Sequence, residues 1–143
     1  MEYAPIFVDT WGWLAYGHRR DAHHQQVRQI FEELHSSRVP IYTTEHVLDE
    51  VITLLFRREQ FEEAVRFVEA IFVSATHGPV RIERVSSDRF TAAWSLRKRF
   101  HDKPRISFTD LLSIVVMKER GIVRILTEDE HFQQVGLGFI LVP

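Results

Sequence analysis

Apolar and polar positions follow two periods along this chain, and the changes of period mark out its elements. Ile6-Phe7-Val8 is an apolar run ended by Asp9, which predicts a short buried strand. Trp11, Leu14 and Ala15 then recur at helical spacing until Gly17. Val27, Ile30, Phe31 and Leu34 define the next helix, with Asp21 as its expected N-cap. Val39 to Thr43 predicts a second strand, and Pro40 puts its start at a sheet margin. Thr44 is expected to cap a helix whose apolar face is Val47, Leu48, Val51, Ile52 and Leu55. Phe61, Ala64, Val65, Val68, Ile71 and Phe72 form another helix, broken by His77-Gly78-Pro79. Val80 to Val85 alternates strictly, as a half-exposed strand does. Ser87 opens a helix bearing Phe90, Ala93, Trp94 and Phe100. Ser107-Phe108-Thr109-Asp110 has the form of a capping box with Asp in the acidic position. The helix behind it is apolar nearly all round, from Leu111 to Val116, which predicts burial on several sides, and Gly121 ends it. Ile122 to Leu126 gives a strand, Thr127-Glu128-Asp129-Glu130 opens a short helical turn, and Phe139 to Val142 gives a last strand.

Strands and helices thus alternate. The pattern predicts a single α/β domain over residues 1–143, with a mainly parallel sheet of about four to five strands and helices on both faces. The length of 143 residues suits one core, and 45% apolar against 27% charged residues is the balance of a folded chain. There is no cysteine, which excludes disulfides, thiolate zinc sites and a cysteine nucleophile, and fits a reducing compartment. Met1-Glu2-Tyr3-Ala4-Pro5 lacks the basic and apolar regions of a signal peptide. The longest apolar stretch, Leu111 to Met117, is interrupted by Ser113 and too short to span a bilayer. A cytoplasmic protein with no membrane partner is expected. The net charge of −2 does not mark a basic nucleic-acid binder, although acids gathered in one pocket and bases around it would hide in that total.

In parallel α/β sheets, ligands sit beyond the carboxyl ends of the strands. Asp9 ends the first strand, Asp129 lies just past a late one, and Asp110 falls in the first turn of a helix leading back across the sheet. Glu50 is early in its helix, and its side chain leans toward the helix N-terminus. Four converging carboxylates repel one another unless a cation neutralises them, and clustered oxygen donors select Mg²⁺ or Mn²⁺. Taken singly, each acid has an ordinary alternative: a turn residue for Asp9, a cap partner for Asp110, a solvated face for Glu50 and a surface acid for Asp129. The eight histidines contain no H-E-x-x-H pattern, so zinc catalysis is disfavoured, and His131 is expected to pack or cap. The absence of a glycine-rich phosphate loop disfavours an NTPase. A phosphoacceptor receiver domain needs paired acids after the first strand and a late lysine, which Asp9-Thr10 and Thr127-Glu128 do not supply. Arg97, Lys98, Arg99, Lys103 and Arg105 precede Asp110 as a basic stretch. It is either a solvated helix end or a set of sequence-independent phosphate contacts. Trp11, Trp13 and Tyr16 are expected in the core or an interface rather than as base-stacking platforms.

Phe7-Val8-Asp9-Thr10, Asp49-Glu50-Val51 on the third helix, Ser107-Phe108-Thr109-Asp110 and Leu126-Thr127-Glu128-Asp129-Glu130-His131-Phe132 stand in the order and spacing of a PIN domain. The chain resembles VapC-type toxins in particular, over essentially its whole length. The resemblance implies an endoribonuclease, the toxin of a toxin–antitoxin pair, in which Asp9, Glu50, Asp110 and Asp129 bind one or two Mg²⁺ (or Mn²⁺) ions and catalyse hydrolysis of RNA phosphodiester bonds. Asp49 is a rival for Glu50, which fits the family better. Thr10 and Thr109 are implied as hydroxyls that steady the ligands or the attacking water. The chain departs from the family at Trp11, where Ser is usual. The resemblance also implies an antitoxin partner and a homodimer. Two neighbouring helices, around Val47 to Phe56 and Phe61 to Phe72, carry more apolar residues than one stripe each, with Leu54, Phe56 and Phe67 in excess. That surplus predicts either a groove for a partner helix or additional packing of helix against helix. A PIN-like scaffold without catalysis and a housekeeping RNA-processing nuclease remain as alternatives.

Overall fold

The strand nearest the N-terminus lies in the middle of the sheet. A computed structural model describes residues 4–143 as β1 (Ile6–Val8), α1 (Thr10–Gly17), α2 (His24–Ser36), β2 (Ile41–Thr44), α3 (Glu45–Arg58) and α4 (Phe61–His77). These are followed by β3 (Val80–Glu83), α5 (Ser87–Arg99), α6 (Phe108–Arg120), β4 (Arg124–Leu126), α7 (His131–Gln134) and β5 (Ile140–Val142). The five strands run in the order β3-β2-β1-β4-β5, and every pairing is parallel. Phe7 pairs with Tyr42 on one side and Ile125 on the other. All three residues of β1 are buried, as a central parallel strand covered on both faces requires.

The chain adds β2 and β3 on one side of β1, then crosses back to add β4 and β5 on the other. Strand–helix–strand crossovers are right-handed, so this reversal sends α1–α4 to one face and α5–α7 to the opposite face. The carboxyl ends of β1 and β4, paired at Val8 and Leu126, therefore open between connections that diverge. That crevice is the switch point at which such sheets take their ligands.

Local chemistry sets where the elements stop and start. Thr44 Oγ1 accepts from Val47 N at 3.1 Å, and Ser107 Oγ accepts from Asp110 N at 3.0 Å, so both expected caps are made. Gly121 ends α6 in the left-handed conformation at φ 67°. Elsewhere the boundaries move. Asp21 Oδ1 accepts from His23 N at 2.8 Å, forming a turn ahead of α2 rather than its cap. Ser87 opens α5 as expected, with Ser86 before it as the cap that accepts from Arg89 N. Strand β3 ends at Glu83 rather than Val85, because the Glu45 carboxylate accepts Val85 N at 2.7 Å and takes that amide out of the ladder.

The core is built around α6, where Leu111 to Met117 are all buried. Trp13 is 2% exposed and donates from Nε1 to Thr43 Oγ1 at 3.1 Å. The Thr43 hydroxyl in turn donates to Val8 O at 3.2 Å. The surplus apolar residues of α3 and α4 are half-buried and absorbed within the chain. Phe56 meets Phe61 edge-on at 5.4 Å, Phe67 meets Tyr16 at 5.6 Å, and Leu54 lines the crevice described below. The apolar surface left exposed on α4 is instead Phe61, Phe72 and Val73.

Helix α1 presses directly on the sheet at Gly12. A Cβ there would lie 2.9 Å from Val8 Cγ1, 3.0 Å from Leu126 Cγ and 3.0 Å from the Leu126 carbonyl oxygen. Alanine gains up to about 1 kcal/mol of helix propensity over glycine. Overpacking against an immobile backbone costs about 1–3 kcal/mol. Gly12→Ala is therefore expected to lower the urea midpoint, and an unchanged or higher midpoint would show that α1 can retreat.

Candidate active site

Asp9, Glu50, Asp110 and Asp129 all line one open cavity at this switch point. Asp9 follows the last residue of β1 and starts α1 without capping it. It is only 5% exposed. Its Oδ2 accepts from Thr127 Oγ1 at 3.0 Å, while Oδ1 is buried with no hydrogen-bond partner among the described residues. Burial, followed by the charge of Asp110, pushes the Asp9 carboxyl up to about 7, with a smaller push from Asp129; the Thr10 amide and the Thr127 hydroxyl oppose this.

Asp110 sits in the first turn of α6, placed there by the Ser107 cap. Burial, and then the charge of Asp129, raise its carboxyl to about 6, with Glu50 adding to the rise and Ser107 working against it. Asp129 is held by the loop after β4. Its amide donates to Thr127 Oγ1 at 3.1 Å, and its Oδ1 accepts from His131 N at 2.9 Å. One threonine thus ties Asp9 to the Asp129 loop. Glu50 approaches from α3, where its Oε2 accepts from Thr10 Oγ1 at 3.3 Å.

His131 Nδ1 is buried 3.0 Å from Asp129 Oδ1 but makes no hydrogen bond among the described residues. Asp110, Asp129 and His131 each offer one donor atom, all within 4.8 Å of one another. A buried carboxylate oxygen without a donor, beside three further acids, suits a hard divalent cation. Such an ion would remove the repulsion that raises Asp9 and Asp110.

The PIN domain family model matches residues 6–137. Over 132 residues the chain is 37% identical to the 23S rRNA-specific endonuclease VapC20 of Mycobacterium tuberculosis, spanning 92% of this chain and 94% of that protein. This chain is a PIN domain of the VapC type. The crystal structure of VapC20, titled a sarcin-ricin loop cleaving toxin, aligns with a TM-score of 0.77 over 94% of this chain and 96% of that one. A Pyrobaculum aerophilum protein of 13% identity shares the fold, with a TM-score of 0.64 over 97% and 90% of the two chains. Among the described residues, no helix is long and apolar enough to cross a membrane.

Not every residue picked out from the sequence reaches the cavity of this PIN domain. Asp49 is exposed and Thr109 is half-buried, and neither is among the residues lining it. Arg97 is committed elsewhere: its guanidinium donates to the carbonyls of Phe100, Lys103 and Ile106 at 2.8, 2.7 and 2.6 Å. It therefore staples the turn between α5 and α6 and is not available to an RNA phosphate. Lys103 faces Asp102 at 3.1 Å, Arg99 lies over the Phe100 ring at 5.3 Å, and Lys98 is exposed on α5. Of the basic stretch, Arg105 alone lines the cavity. Three residues at the site have no functional role that the sequence alone assigns. Thr127 looks like any turn residue, Arg58 like a solvated helix end, and His131 like a cap.

Proposed function

We propose that residues 1–143 form one PIN domain that acts in the cytoplasm as a metal-dependent endoribonuclease, the toxin of a toxin–antitoxin pair. The observation that carries this reading is the buried Asp9 carboxylate, whose Oδ1 lacks a donor in a cavity shared with Glu50, Asp110 and Asp129. These four acids would hold Mg²⁺ or Mn²⁺. When bound, the ion neutralises their charge, polarises the phosphate and acidifies a water. Thr127 holds Asp9 against the Asp129 loop, and Thr10 steadies Glu50. Arg58 and Arg105 face the same cavity as exposed cations, suited to phosphates flanking the one that is cut. In the reaction a water oxygen bonds to phosphorus, the phosphorus–oxygen bond to the departing ribose breaks, and the water proton passes to the leaving oxygen. The 37% identity to an rRNA endonuclease supports RNA as the substrate class and a small antitoxin as the partner. The apolar patch Phe61, Phe72 and Val73 on α4 supports a protein partner or a homodimer.

The purified protein is expected to cleave single-stranded RNA in Mg²⁺ or Mn²⁺, to stop on chelation with EDTA, and to recover with excess Mn²⁺. Single-stranded and duplex DNA serve as comparison substrates. Failure to cut any RNA would overturn the proposal, and cleavage indifferent to EDTA would overturn its metal dependence.

A further inference from the structure

The acids and cations of the cavity account for its polar surface, but not for the apolar strip beside them. Trp11, Leu14 and Leu54 line the same cavity as Asp9 and Asp110. The three tryptophans have separate fates. Trp13 is buried and spends its N–H on Thr43, whereas Trp94 is 53% exposed on α5. Trp11 is half-buried, two residues from Asp9, and braced by His23, whose ring centroid lies 5.3 Å away at a 54° tilt. It is the only indole or phenyl ring among the described residues lining the cavity. Trp13 is a core residue, as expected from sequence, whereas Trp11 packs one side against the core and also lines the cavity.

Along α3, Glu50, Leu54 and Arg58 recur every fourth residue, and all three line the cavity. At about 1.5 Å of rise per residue, Arg58 stands roughly 12 Å along the helix from Glu50. It is beyond reach of that acid and pairs with no carboxylate among the described residues. Carboxylate, apolar side chain and free cation thus follow one another along one wall, and the Trp11 indole of α1 lines the same cavity. Bound metal and water have no use for apolar surface. A nucleic-acid strand whose phosphate sits at the acids presents a base and then another phosphate to such a sequence of surfaces.

We propose that Trp11, with Leu54 and Arg58, forms a subsite that stacks an unpaired base of the substrate RNA and grips the phosphate adjoining it. The proposal rests on the ribonuclease reading above and adds a preference for unpaired nucleotides. A paired base within a duplex has both faces covered by its neighbours and cannot enter, so Trp11 is a positioning residue that selects single strands or loops.

The test uses the full-length protein with Mn²⁺ and a fluorogenic single-stranded oligoribonucleotide of mixed sequence. Trp11→Ala is expected to raise KM about tenfold or more, with a smaller change in kcat, and Trp11→Phe to keep most of the wild-type KM. Two competitors separate base from phosphate: an oligothymidylate and an abasic oligodeoxynucleotide of equal length. Trp11→Ala should weaken inhibition by the first and leave the second unchanged. Arg58→Ala should weaken both and reduce the salt slope of inhibition by about 0.7, as loss of one single-strand phosphate contact predicts. Wild-type enzyme that cuts RNA while Trp11→Ala retains its KM and both inhibition constants would overturn the subsite alone. Equal loss against both competitors would also overturn it, because the effect would then not concern a base. Wild-type protein that cuts no RNA would overturn the ribonuclease reading beneath it.

Discussion

Asp110→Asn is expected to abolish RNA cleavage, by roughly a thousandfold or more, while leaving the fold intact. Asparagine keeps the volume of the side chain. The Ser107 cap survives because its hydroxyl oxygen accepts from the Asp110 backbone amide, which the substitution keeps. What is lost is one charged oxygen ligand in a group whose donors lie within 4.8 Å of one another. The variant should not be less stable, since burial and the charge of Asp129 already disfavour an ionised carboxyl at this position. Cleavage of labelled RNA in Mg²⁺ and in Mn²⁺, with circular dichroism as the fold control, measures both halves. Activity equal to wild type would remove Asp110 from the mechanism.

The second large effect is on stability, and it reverses the usual acid sensitivity of a protein. Asp9 rises from an ordinary 3.8 to about 7, with burial as the first cause and the charge of Asp110 as the second. A carboxyl whose folded pKa is raised contributes stability that is fully present below its unfolded pKa and is lost as pH climbs through the folded value. At about 1.4 kcal/mol per pH unit, the penalty for ionising Asp9 reaches a few kcal/mol at pH 8. Asp110, raised to about 6, adds to it in the same direction. Glu45, Glu59 and Glu83 are shifted down and lose their contribution only at lower pH, below the window in question. In EDTA, the melting temperature should therefore fall between pH 5 and pH 8. Mn²⁺ should restore it at pH 8 and do little at pH 5, because metal binds the deprotonated acids. Asp9→Asn should raise the EDTA melting temperature at pH 8 and erase the response to Mn²⁺. A melting temperature that is flat or rising across this range in EDTA would count against the acid cluster as drawn here.

The parts of the fold readable from sequence are those fixed by local chemistry. The caps at Thr44 and Ser107, the stop at Gly121 and the all-round burial of α6 each follow from residues a few positions apart. Asp9, Asp110 and Asp129 stand at a strand end, a helix start and a loop after a strand, points that a parallel sheet sends to one edge, and Glu50 joins them from the second turn of α3. The misreadings come from contacts between distant segments. The alternation through Val85 predicts a longer β3, but the Glu45 carboxylate, 40 residues away, takes the Val85 amide. Arg97 looks like a free cation until the turn at 100–106 folds three carbonyls around it. Thr127 and Arg58 gain their places only when the strand order is known. Of the residues surplus to a single helix stripe, Phe67 meets Tyr16 of α1 and Phe56 meets Phe61 of α4, the helix-against-helix packing that was one of the two expectations, while Leu54 lines the cavity.

The hydrogen bond from Thr127 to Asp9 joins residues 118 positions apart, and β1 pairs with β4 across nearly the whole chain. During synthesis, β1, β2 and their helices emerge long before the strand that supplies Thr127 and Asp129. A nascent chain that has delivered Asp9, Glu50 and even Asp110 still has one side of its central strand unpaired and two acids facing no partner loop. Non-local pairing of this kind forms late, after the entropy of closing a long loop has been met. Assembly of the acid cluster is thereby coupled to the last stage of folding: an incomplete chain carries three of the four acids without the loop that brings the fourth.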